Sequence, residues 1–118
     1  MTVAQEIPKV AGILGMSEDA LLQEMTSRFI KEKIADSERR IGKFHLKEQK
    51  LRQKYQMNLE ELAQALEKLE STEDYEAQTI NGVPVLEAVA DTRAWEHLLE
   101  NLAEEEEKLS ELVAFVHA

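Results

Sequence analysis

Three histidines, His45, His97 and His117, and the run Glu104-Glu105-Glu106-Glu107 are the residues of this 118-residue chain whose chemistry could go beyond packing. A histidine three places after a glutamate on a helix forms the ligand pair of a carboxylate-bridged two-metal bundle, because i and i+3 share a face. Here the residues three places earlier are Gly42, Ala94 and Ala114, and no H-E-x-x-H occurs. The four glutamates could hold a divalent cation if a second acidic motif faced them from another helix. Lys108 follows the run and no matched motif accompanies it, so it reads as a solvated face. The absence of cysteine removes thiol nucleophiles, disulfides and thiolate metal sites. Gly12 and Gly15 open no strand–loop–helix phosphate cradle, and G-x-S-x-G does not occur. The sequence therefore assigns no catalytic, cofactor or metal residues and points to a protein that is not an enzyme.

What remains is charge and periodicity. Ten of the fourteen basic residues fall in residues 28–54 against four acids, while residues 60–76 hold seven acids and one base, and residues 87–118 nine acids and two bases. The net charge of −10 disfavours nucleic acid as the default partner, and the basic segment has acidic stretches of its own chain to face. Lys33, Arg40, Lys47 and Lys54 recur at intervals of seven, which places them on one flank of a helix. Beside them runs a seam of alternating fours and threes: Ile30, Ile34, Ser37, Ile41, Phe44, Glu48, Leu51, Tyr55. Such a seam lies against another helix.

Few breakers and abundant Leu, Ala, Glu and Lys suit long helices. Residues 1–16, punctuated by Pro8, Gly12 and Gly15, carry no clear period and read as an arm. Ser17 is a fitting N-cap, with Glu18 and Asp19 in the first turn, for a long basic helix over 17–55. At about 1.5 Å per residue that helix overshoots a globule of this chain length, so a second long helix, its own or another chain's, must run along it. Asn58 with Glu61 forms a capping box for a short helix over 58–72. Residues 73–83 read as a loop or a minimal hairpin around Asn81-Gly82. An acidic helix over 84–117 follows, Pro84 suiting its first turn. Its seam is Val85, Ala88, Thr92, Trp95, Leu99, Leu102, Glu106, Leu109, Val113 and Val116.

Setting Tyr55 opposite Ala88 in an antiparallel hairpin places Glu48 on Trp95, Leu51 on Thr92, Phe44 on Leu99, Ile41 on Leu102, Ser37 on Glu106 and Ile34 on Leu109. The same register faces Arg40 with Glu105 and Lys54 with Asp91, and lays the stems of Lys47 and Lys33 on Leu98 and Leu112. The expected fold is all-α: one domain over 1–118, a long antiparallel, coiled-coil-like hairpin with a short intervening helix, dimerising into a bundle because the last helix has a face too wide for one neighbour. The longest apolar run, Val10 to Met16, has no basic start or A-x-A site and cannot span a bilayer, so a cytoplasmic location and no membrane partner are expected.

Three segments in order carry a family likeness: Leu14-Gly15-Met16-Ser17-Glu18-Asp19-Ala20-Leu21-Leu22, then Lys54-Tyr55-Gln56-Met57-Asn58-Leu59-Glu60-Glu61-Leu62, then Trp95-Glu96-His97-Leu98 in a Glu-rich helix. Over residues 14–112 the chain resembles small helical antitoxin-like proteins of prokaryotes, encoded beside a small ribonuclease-like toxin. The resemblance implies neutralisation of that toxin by binding, and it supplies no catalytic residues. It also implies glycine after the tyrosine, where this chain has Gln56. The expected function is thus protein–protein interaction through the seam and the charge flank. The alternatives are a structural coiled-coil adaptor and a nucleic-acid-binding regulator using residues 28–54.

Overall fold

A computed structural model describes residues 3–117, and side chains from residue 5 to residue 117. The elements in order are α1 (Val3–Leu14), α2 (Glu18–Tyr55), α3 (Leu59–Glu70), a 3-10 turn (Tyr75–Ala77), β1 (Thr79–Ile80), β2 (Val83–Pro84) and α4 (Val85–Val116). The fold is all-α with one two-stranded ribbon. Packing groups the chain into two compact units. One comprises residues up to Glu38 with those from Lys108 onward, and the other is Arg39–Glu107.

The first unit contains α1, which corrects the reading of 1–16 as an arm; residues 1 and 2 of that segment lie outside the described residues. Pro8 lies within α1 and removes one helical hydrogen bond, which hid the helix. The helix ends in a Schellman cap: Gly15, at φ 68, donates to the Gly12 carbonyl at 3.3 Å and Met16 to the Ala11 carbonyl at 2.9 Å. Gly15 is thus a helix stop, and its positive φ is the reason for glycine there. Ser17 then caps α2, its Oγ accepting from Ala20 N at 3.1 Å. Among the described residues of this unit, Ala11, Leu21, Ile30 and Ser37 are buried.

In the second unit α2 and α4 form the antiparallel hairpin in the register that charge and seam predict. Trp95 Nε1 donates to Glu48 Oε2 at 3.1 Å, Arg40 Nε to Glu105 Oε1 at 2.9 Å, and Lys54 Nζ to Asp91 Oδ2 at 2.7 Å. Thr92, awkward on an apolar seam, turns its hydroxyl back to the Ala88 carbonyl at 2.8 Å, the i−4 bond open to threonine in a helix. The core joins Tyr55 of α2, Leu62 and Leu66 of α3, Ile80 and Val83 of the ribbon, and Val85, Ala88, Trp95 and Leu98 of α4.

Two local motifs fold this core's open end. The Asn58–Glu61 capping box closes reciprocally, at 2.8 Å and 3.2 Å. Of the two readings offered for 73–83, the hairpin is the one that forms, with Thr79 opposite Pro84 and Ile80 opposite Val83. Asn81 and Gly82 both have positive φ, as a type I′ turn requires. Asn81 Nδ2 also donates to the Tyr55 carbonyl, satisfying an acceptor left over at the end of α2. That bond, and the burial of Ile80 and Val83, explain how so short a ribbon persists.

The helix break after Tyr55 occurs without glycine. Gln56 takes φ 59 and donates to the Arg52 carbonyl at 2.7 Å, a left-handed cap adopted at a steric cost. Gln56→Gly should raise the stability of this unit by about 0.5–1 kcal/mol, the relieved strain exceeding glycine's extra unfolded-state entropy. An unchanged or lower urea midpoint would contradict this.

Candidate interaction surfaces

The structure separates the seam residues into those used up inside the chain and those left open. Tyr55, Trp95 and Leu102 are buried, and Ile41, Phe44, Leu51 and Leu99 half-buried, all in the second unit. In the first unit Ile30 is buried, Ile34, Leu109 and Val116 are half-buried, and Val113 is exposed. The hairpin therefore consumes most of the seam.

Half of the basic flank is consumed as well. Arg40 pairs with Glu105 at 2.8 Å, and Lys54 reaches Asp91 at 2.7 Å and Glu87 at 3.5 Å. Arg52 lies 3.7 Å from Glu48, Arg28 lies 2.7 Å from Glu24, and His45 Nε2 lies 3.8 Å from Glu106. Lys33 instead sits 5.2 Å from the Phe29 ring centroid. Lys47 lines a groove of about 400 Å³ with Phe44, Leu51 and Leu98, its stem lying along apolar surface as the register implies.

Asp91 is the most connected of these groups. It accepts from Lys54 Nζ and from the hydroxyl of the fully buried Tyr55. Burial pushes its carboxyl up, but the hydrogen bonds from Lys54 and Tyr55 and the charge of Lys54 outweigh that and hold it below the usual carboxylate range. Tyr55 is held well above the ordinary phenol value, by burial first and then by its bond to Asp91 and the charges of Asp91 and Glu87. Lys54 is raised, chiefly by its hydrogen bond to Asp91. The cluster ties α2 to α4 across the hairpin.

The acids divide differently. Glu87, Asp91, Glu105 and Glu106 of α4 face basic partners, whereas Glu60, Glu67, Glu70, Glu73, Asp74 and Glu76 are exposed. Among the described residues no three histidine, aspartate or glutamate side chains gather as a metal site requires, and no helix is long and apolar enough to cross a membrane.

The surface that sequence reasoning missed is apolar and lies in the first unit. Val10, Ile13 and Leu14 of α1, Leu22, Met25 and Phe29 of α2, and Val113 and Phe115 of α4 are exposed, from 36% to 78%. Scaled to ordinary side-chain areas these eight residues together expose on the order of 800 Å². Leu22 lines a groove of about 370 Å³ with Ile30, Phe115 and Val116, and Met25 lines another of about 410 Å³ with Leu14, Met16 and Leu21. Leu22, Met25 and Phe29 thus form a stripe on α2 with α1 on one side and the end of α4 on the other. The signal was in the sequence, since i, i+3, i+7 marks a helix face, but the seam beginning at Ile30 on the neighbouring face drew the reading away. Compared with protein families, characterised proteins and solved structures, the chain matches none.

Proposed function

We propose that this chain is a helical protein–protein interaction module of the cytoplasm that acts without catalysis, antitoxin-like in neutralising a partner by covering it. The observation that carries this reading is the open apolar face of the first unit. Such a face is satisfied by another polypeptide surface, a partner's or that of a second copy, whereas the second unit buries its seam and pairs Arg40 and Lys54 with its own acids. The exposed acids from Glu60 to Glu76 add the charge preference. They favour a basic partner, while the resemblance implies a small ribonuclease-like toxin, and they act mainly on association rate and partner choice. The basic helix supports a nucleic-acid role poorly, because Arg28, Arg40, Arg52 and Lys54 already face acids of the same chain.

The test is co-expression with the small basic product of an adjoining reading frame, followed by affinity purification and kinetics of binding. A co-purifying complex is expected, and Glu67, Glu70, Glu73 and Glu76 all changed to Gln should slow association about tenfold and flatten its salt dependence. A protein that binds no polypeptide, or that alone shifts DNA with a steep salt dependence, overturns the reading.

A further inference from the structure

Resting on that reading, we infer that the α2 stripe of Leu22, Met25 and Phe29 is covered by the same stripe of a second copy of the chain, the two α2 segments running antiparallel. Two features of the first unit name this occupant. The first is area. The open apolar surface, on the order of 800 Å², equals the share that one partner contributes to an interface of standard size, and two copies meeting on a two-fold axis each supply it. Leu14 of α1 and Phe115 of α4 flank the stripe from opposite sides, so a partnering helix would be gripped on three sides, completing the four-helix packing that the unit leaves open.

The second feature is charge order along the stripe. Glu18 and Asp19 stand at its N-terminal end and Lys33 at its C-terminal end, and all three are exposed. Asp19, Thr26 and Lys33 are seven residues apart and share one flank. An antiparallel copy centred near Thr26 brings each Lys33 beside the Asp19 of the other. A parallel copy sets like charge on like. Lys33 already lies over the Phe29 ring, so its ammonium stays at the edge of the apolar contact.

The experiment is sedimentation equilibrium of the purified full chain, with Met25→Glu/Phe29→Glu as the disrupting variant and Leu46→Glu, an exposed site in the other unit, as control. The wild type should be a dimer. The double variant should weaken the dimer at least about 100-fold in dissociation constant while its circular dichroism stays that of the wild type, and the control should leave the dimer intact. Lys33→Glu should weaken the dimer, and adding Asp19→Lys to it should restore the dimer, which loss of folding could not mimic. A dimer indifferent to the double variant overturns the inference. A monomeric wild type overturns it too. If that monomer still captures the basic neighbour, the occupant of the stripe is the partner and the interaction reading stands; if it captures nothing, both fall.

Discussion

Trp95→Ala costs the second unit about 3–5 kcal/mol, the usual range for removing a fully buried indole. Domains of this size have about 5–15 kcal/mol in all, so the variant is at or near unfolding at 25 °C. The side chain belongs to the core shared by α2, α3, the ribbon and α4. It is fully buried among Leu62, Leu66, Leu98 and Tyr55, and its indole N–H donates across the hairpin to Glu48 at 3.1 Å. Truncation leaves a cavity walled by different helices, which no single side-chain shift closes, and deprives a half-buried carboxylate of a donor. Trp95→Phe should be milder, about 1–3 kcal/mol, keeping most of the volume and losing the hydrogen bond. Chemical denaturation followed by circular dichroism measures both. The wild type can also be followed by fluorescence, since Trp95 is the chain's one tryptophan. A Trp95→Ala midpoint within 1 kcal/mol of wild type would mean that the core does not rest on this layer.

The hairpin was legible in the sequence because burial and charge gave the same register independently. Glu48 is a misfit on an apolar seam until Trp95 stands opposite it, and Arg40 and Lys54 find acids in that alignment. Asn58 and Glu61 announced the short helix through a cap whose two bonds need no tertiary context. Where the reading failed, two local signals competed. Pro8 argues against a helix that its neighbours nevertheless form, and in the sequence Gly15 is punctuation without sign of the helix it ends. Asn81-Gly82 signalled a turn, but what holds the ribbon is a hydrogen bond to Tyr55, 26 residues earlier, which no local pattern contains. The apolar stripe at Leu22, Met25 and Phe29 had the spacing of a helix face. Whether such a face is buried or open depends on what packs beside it, and that is a property of the fold.

Asp91→Ala should destabilise the second unit by about 2–4 kcal/mol near neutral pH, since it removes the acceptor of a buried phenol and of Lys54 together. Tyr55→Phe should cost less, about 1–1.5 kcal/mol, because it deletes a donor and leaves no buried polar group unmatched. The pH dependence separates the two parts of the cluster. Asp91 has its carboxyl lowered in the fold from 3.8, so its contribution is complete above that value and is lost as pH falls through the lower, folded value. Lys54 is raised from 10.5 and Tyr55 from 10.0. Their contributions are complete below those values and are lost as pH rises through the folded ones. Wild-type urea midpoints should therefore form a plateau between about pH 4 and pH 10 with a fall on each side. Asp91→Asn should flatten the acid limb, since the amide carries no proton to gain, and weaken the alkaline one by taking away the charge that raises both Lys54 and Tyr55. Tyr55→Phe should shift the acid limb upward, because the carboxylate loses one of the two hydrogen bonds that offset its burial. Identical pH profiles for wild type and Asp91→Asn would show that the ionised form of this carboxylate does not hold the two helices in register.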